Sequence, residues 1–184
     1  ISTSTAEKKE VPDGLWTMCP VCKYTCTSIE LKENLSVCPK CDHHHRIGSA
    51  EYFEMLFDDN EYTELFTEIK SIDFLGFSDL KPYKKRLDEA YAKTGLNDSI
   101  SSATGKIGGH SLLICCMDFN FIGGSLGSVM GEKIARSADY CLAHKMPFMI
   151  ISKSGGARMM ESAFSLMQLP KTLGKIRLHL RTFS

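Results

Sequence analysis

At 184 residues the chain has room for one ordinary domain, or for a small module joined to part of a larger one. Its 22 basic and 22 acidic residues cancel, so no global field points to nucleic acid or to an anionic membrane, and a 43% hydrophobic, 24% charged composition is that of a soluble globular protein. No apolar run approaches the roughly 20 residues that span a bilayer, and the polar opening stretch has no signal-peptide core, so no membrane association and a cytoplasmic location are expected.

Residues 1–14 are charged and polar with little pattern and are expected to form a flexible tail. The chain opens on Ile1 rather than Met, the start expected if residues precede it or if processing has removed them. Residues 15–48 then carry Cys19-x-x-Cys22, a gap of fifteen residues, and Cys38-x-x-Cys41. That is the spacing of a four-thiolate zinc ribbon, in which two tight turns, Cys-Pro-Val-Cys and Cys-Pro-Lys-Cys, deliver four sulfurs to one tetrahedral ion. Two disulfides are the alternative, and they need an oxidising compartment that nothing else supports. His43, His44 and His45 follow the last thiolate and are expected to be exposed or to lie behind the ligands. Cys26, Cys115, Cys116 and Cys141 are expected to be small buried hydrophobes.

Residues 49–97 read as a helical connector. Ser49 is placed to cap a helix on which Tyr52, Phe53, Leu56 and Phe57 share one side. A short strand within 61–69 is followed by a loop with apolar anchors. Lys81-Pro82 opens a second helix, with Leu87, Ala90 and Tyr91 inward and Gly95 as its stop.

From Asp98 to the end at 184 the texture is α/β. Two strands, 100–107 and 112–119, flank Gly108-Gly109, and the second is apolar on both faces, as in a buried sheet. The glycine-rich stretch 121–128 leads into a helix with Met130, Ile134, Ala138, Cys141 and Leu142 inward. An apolar strand at 147–151 then stops at Ser154-Gly155-Gly156-Ala157-Arg158, and residues 159–169 look helical. Each glycine loop thus follows a strand and precedes a helix, the place where unpaired backbone N–H groups meet ligands. Glycine pairs there are also ordinary turns. Neither loop is a nucleotide fingerprint, and no Ser-His-Asp or paired-carboxylate set is apparent.

Trp16-Thr17, the ribbon ending Cys-Pro-Lys-Cys-Asp-His-His, the segment 118–129 and Ser154-Gly155-Gly156-Ala157-Arg158-Met159-Met160-Glu161 together resemble the β subunits of bacterial acetyl-coenzyme A carboxylase carboxyltransferases, over residues 11–169. The resemblance implies the first part of a crotonase-type spiral of ββα units behind the zinc ribbon. It also implies transfer of a carboxyl group from carboxybiotin, held on a separate carrier protein, to acetyl-coenzyme A (acetyl-CoA), giving malonyl-CoA for fatty acid synthesis. By the same resemblance, backbone N–H groups of Gly155, Gly156 and Ala157 would face the thioester, with Gly123 and Gly124 shaping the adjacent wall. Arg158 would meet a CoA phosphate or pair with Glu161, three residues on. The implied partners are an α subunit of related fold, in an α2β2 heterotetramer, and the biotin carboxyl carrier protein.

After Leu169 the sequence departs from the family. Pro170 is expected to break or kink the helix, and the Thr-Thr-Gly-Gly segment of the family's second half is absent, so the chain alone is expected to be catalytically incomplete. The strand at 148–151 is then expected to keep an uncovered face and edge. Two other readings compete: a zinc ribbon that binds nucleic acid, whose weakly basic charge argues against strong binding, and a carboxyltransferase for another acyl-CoA, such as propionyl-CoA.

Overall fold

The computed structural model describes residues 15–183, so the expected tail at 1–14 lies outside the described residues. The chain divides into two compact units, the boundary falling between Ile47 and Gly48.

In the first unit, β1 (Trp16–Met18) and β2 (Thr25–Thr27) form an antiparallel pair, and α1 (Ser28–Glu33) follows at once, its N terminus capped by the Thr27 hydroxyl. Few side chains are buried: Cys19, Cys26, Leu31 and Cys38, while Trp16, Met18 and Val21 stand exposed. That is too little apolar burial to hold a module of this size together.

The second unit is built on one sheet. Its strands β3 (Tyr62–Leu65), β4 (Ile100–Ile107), β5 (His110–Met117) and β6 (Phe148–Ile151) lie in the order β3-β4-β5-β6. The first two pairings are antiparallel and β5-β6 is parallel. β3 is thus a sheet strand inside the stretch read as helical connector. The β4-β5 hairpin turns on Gly108 and Gly109, both at positive φ as the two-residue turn requires, and their N–H groups donate to the Asp58 carboxylate at 2.9 and 2.8 Å. Parallel pairing of β5 with β6 needs a crossover, which α4 (Ser128–His144) supplies.

Side chains on β5 alternate between two clusters. Leu112, Ile114 and Cys116 pack with Phe53 and Phe57 of α2 (Ser49–Leu56) and the residue after it, whereas Leu113 and Cys115 pack with Met130, Ile134 and Cys141 of α4. A third cluster joins Tyr83, Leu87 and Ala90 of α3 (Tyr83–Thr94) to Phe121 and Met160. The four leftover cysteines are all buried. Burial raises the thiols of Cys115, to about 11, and of Cys116 and Cys141, to about 12, which keeps them protonated and inert.

Three local expectations are corrected. Ser49 is not a cap: its hydroxyl bonds Ser101, and the Asp118 carboxylate receives the Ser49 N–H at 3.1 Å from across the fold. Residues 159–169 are not one helix. Met159–Glu161 make a single 3-10 turn, Ser162 takes φ 50°, and α5 (Ala163–Phe183) starts only then. Pro170 does not end α5. It removes one backbone bond, but Gln168 packs on Gly131 of α4 before it and Lys171 and Lys175 pair with Glu132 and Asp139 of α4 after it, so tertiary contacts carry the helix through. β6 is an edge strand of the sheet, as expected, with Met149 exposed, but its faces are not left uncovered: Phe148 and Ile150 pack on the α4 cluster and Ile151 on the α2 cluster. Among the described residues no helix is long and apolar enough to cross a membrane.

Candidate functional site

In the first unit the two Cys-x-x-Cys turns are built alike. Lys23 and Asp42, each directly after the second cysteine, have positive φ, and their N–H groups return to the carbonyls of Cys19 and Cys38 at 3.0 Å. The bonds from Cys19 N–H to Tyr24 O and from Cys38 N–H to His43 O, both 2.8 Å, repeat the pattern. The four sulfurs of Cys19, Cys22, Cys38 and Cys41 all lie within 4.8 Å of one another, with the Cys19–Cys41 and Cys22–Cys38 separations at 3.7 Å. A disulfide needs about 2.05 Å. Four thiolates around zinc at about 2.3 Å stand about 3.8 Å apart along the tetrahedron's edges, so the cluster fits zinc. Burial pushes the Cys19 thiol up, yet the Cys22 and Val21 N–H groups, together with the Cys22 and Cys41 sulfurs, bring it down to about 6, whereas at Cys41 the His43 N–H is outweighed by the neighbouring sulfurs and burial, which push the thiol up to about 12. No histidine joins this group, and His43 and His45 stack edge to face beside it.

In the second unit the two glycine loops lie side by side and are stitched together. The Gly155 N–H donates to Gly123 O at 2.9 Å, Leu126 N–H to Gly156 O at 2.8 Å, and Arg158 N–H to Leu126 O at 2.8 Å. Gly124 makes the approach possible: it has φ 65°, and a Cβ there would stand 2.2 Å from Lys153 O. Gly155, Gly156 and Ala157 are exposed, and Gly124 is buried behind them.

The expected donors are not equivalent. The Gly155 N–H is committed to Gly123, and the Gly156 N–H donates to Ser154 Oγ at 3.1 Å. Leu126 bridges Ala157 in parallel fashion, using the groups of residues 156 and 158, so the Ala157 N–H points to the opposite side. Among the described residues it has no hydrogen-bond partner. These amides are also not the first turn of a helix, since α5 begins at Ala163. The first amide of α4 is taken as well: the Ser128 N–H donates to Glu161 Oε2 at 2.6 Å.

Arg158 requires the plainest correction. It is 1% exposed and cannot reach a CoA phosphate. Its guanidinium pairs with Asp98 at 2.9 Å and, as the spacing of three allowed, with Glu161 at 3.1 Å. It also donates to Ser71, Ser99 and Ser125 and to the Tyr83 hydroxyl. Burial would lower its pKa, but the Asp98 carboxylate more than offsets this and holds it above the ordinary value. Two buried carboxylates face this one guanidinium, and the buried Lys133 ammonium is a second positive charge acting on Asp98. The Ser71 and Ser99 hydroxyls also donate to Asp98, and the α4 N terminus and the Tyr83 hydroxyl, at 2.7 Å, donate to Glu161. Asp98, Ser71, Tyr83 and Ser125 were not singled out from sequence. They lie 33 to 87 positions from Arg158, and no local pattern joins them.

The curated protein Acetyl-coenzyme A carboxylase carboxyl transferase subunit beta from Pedobacter heparinus is 62% identical over 178 residues, covering 97% of this chain and 63% of its own length. A protein of the same name from a Flavobacteriaceae bacterium is 55% identical over 176 residues, covering 96% of this chain and 62% of its own length. The chain therefore spans a little over three fifths of the length of these relatives. Among solved structures, transcarboxylase 12S aligns with a TM-score of 0.59 at 24% identity, over 71% of this chain and 23% of the other. A Pseudomonas malonate decarboxylase hetero-dimer aligns with a TM-score of 0.52 at 20% identity, over 73% of this chain and 48% of the other. At such identities these two establish the fold alone: the α/β unit has the carboxyltransferase, crotonase-type architecture. Residues 65–179, more than half of the chain and including both glycine loops, match the carboxyl transferase domain, and the chain belongs to that family.

Proposed function

We propose that this chain is a carboxyltransferase β subunit, or the larger part of one, that moves a carboxyl group from carboxybiotin to acetyl-CoA to give malonyl-CoA for fatty acid synthesis in the cytoplasm. The observation that carries the reading is the N–H of exposed Ala157, without a hydrogen-bond partner among the described residues, at the seam of the two glycine loops, in a chain 62% identical to a protein of that name.

In this reaction the acetyl methyl group loses a proton, and negative charge gathers on the thioester oxygen. A backbone donor already fixed in place stabilises that charge without reorganising, and losing one such donor costs about 3–4 kcal/mol. Of these three amides, only that of Ala157 is uncommitted among the described residues, so it is the donor, with Gly155 and Gly156 as the exposed floor and Gly123 and Gly124 as the wall. The carboxyl donor is biotin on a separate carrier protein, and an α subunit completes the site. Cys19, Cys22, Cys38 and Cys41 hold zinc, which supplies folding free energy to residues 15–48 and takes no part in the transfer. Residues 49–97 support the site, with no chemistry of their own.

The test has two arms. Titration of the chain with acetyl-CoA is expected to show saturable binding, and its absence overturns the reading. Malonyl-CoA formation, measured with a carboxylated biotin carrier and an α subunit, is expected to be absent with the 184-residue chain and present when the chain continues to the length of its relatives. Steady transfer by the shorter chain overturns the proposal that it builds only part of the site.

A further inference from the structure

Arg158 belongs to the second glycine loop but grips the first from behind. Its Nε donates to Ser125 Oγ and its Nη2 to Ser125 O, both at 3.0 Å, while its backbone N–H holds Leu126 O. The far side of the guanidinium is anchored on Asp98, at the entrance to β4. Glu161 continues the chain of contacts: one carboxylate oxygen meets Arg158, and the other receives the Ser128 N–H. The first loop is therefore pinned at residue 125 by the cation and at residue 128 by its anion. Between them, Gly127 lies directly against the pair, since a Cβ there would stand 2.8 Å from both Arg158 Nη1 and Glu161 Oε1.

We infer that Arg158 is the positioning residue of this site: its guanidinium, braced by Asp98 and Glu161, sets the register between the two glycine loops and so the place of the Ala157 N–H. This rests on the acyl-CoA reading of the loops, but the register itself can be tested without it. Arg158 acts through Ser125 and touches no ligand, being buried where Gly155, Gly156 and Ala157 are exposed. Lysine cannot replace it. A single ammonium has no planar fork with which to hold Ser125 on one edge and Asp98 on another.

The experiment uses the whole chain with Ser125→Ala, Ser125→Thr and Arg158→Lys, and reads amide hydrogen exchange. Ser125→Ala removes one link of the grip and leaves the ion pairs in place, so the unit stays folded. Exchange at Leu126, Gly155 and Arg158, whose N–H groups cross between the loops, is expected to quicken about tenfold or more, the loss that goes with a hydrogen bond to a charged group. Exchange at Leu113 and Ile114 of β5 is expected to stay unchanged. Ser125→Thr, which keeps the hydroxyl, is expected to restore slow exchange, and Arg158→Lys to exceed Ser125→Ala. Unchanged exchange at the three cross-loop amides, or a rise shared equally by β5, overturns the inference. Acetyl-CoA affinity is measured in parallel and is expected to fall with cross-loop protection. If the unsubstituted chain binds no acetyl-CoA, the acyl-CoA reading fails, and the exchange pattern still decides whether Arg158 sets the register.

Discussion

The two units solve the problem of burying polar atoms in opposite ways. In the first, the polar atoms are the centre: four sulfurs gather where a hydrophobic core would be, while Trp16, Met18 and Val21 remain exposed. In the second, three apolar clusters come first, and a fully buried Arg158–Asp98–Glu161 set is fitted beside them. The first arrangement depends on something the chain does not contain, whereas the second closes on itself. The contrast teaches that a charge cluster can be the cause of a fold or a guest within one, and removal experiments distinguish the two.

The largest effect is expected from taking metal away. Zinc contributes on the order of 10 kcal/mol to folding in small thiolate modules, so a strong chelator is expected to abolish amide protection across residues 16–45 while leaving that of β4 and β5 intact. Loss of protection in both units together would break the comparison. Next comes Arg158→Met, which strands two buried carboxylates. A loss of about 3–5 kcal/mol is expected from denaturant unfolding of the second unit, and a loss below 1 kcal/mol would mean that the carboxylates are rescued by water.

Gly124→Ala is expected to cost about 1–3 kcal/mol from its left-handed backbone alone, with more from the collision 2.2 Å from Lys153 O. Thermal unfolding of the variant checks this, and a neutral result would show that the loops can part. The smallest effect concerns pH. The Gly109 and Gly108 N–H groups hold the Asp58 carboxyl below the usual aspartate range. Because the folded value is depressed, the stabilisation is present above the unfolded pKa and is lost as pH falls through the folded one. Asp58→Asn is therefore expected to flatten the acid limb of the stability curve slightly, as read from melting temperature between neutral pH and about pH 3.

Much of this was legible along the chain because its physics is local. The Cys-x-x-Cys turns need only four residues each, and the hairpin at Gly108-Gly109 only two. The alternation of Leu112, Leu113, Ile114, Cys115 and Cys116 announces a strand buried on both faces whatever packs there. The glycine loops were found by the same means, since a glycine pair between a strand and a helix is a feature of neighbours.

What the sequence by itself determined was thus the kind of each part: a thiolate ribbon, a buried sheet with a helical crossover, and two backbone-rich loops. Tertiary structure alone decided which polar groups remain free. Arg158 could be drawn from sequence as a phosphate ligand or as a partner of Glu161, and only the fold brings Asp98, Ser71, Tyr83 and Ser125 around it. Likewise Gly155, Gly156 and Ala157 look alike as donors until pairing with residues 123–126 consumes the first, a serine engages the second, and the third is left without a partner among the described residues. The reason is physical. Secondary structure follows from the conformations and spacing of adjacent residues, but whether a given N–H or charge is available depends on which distant group reaches it first.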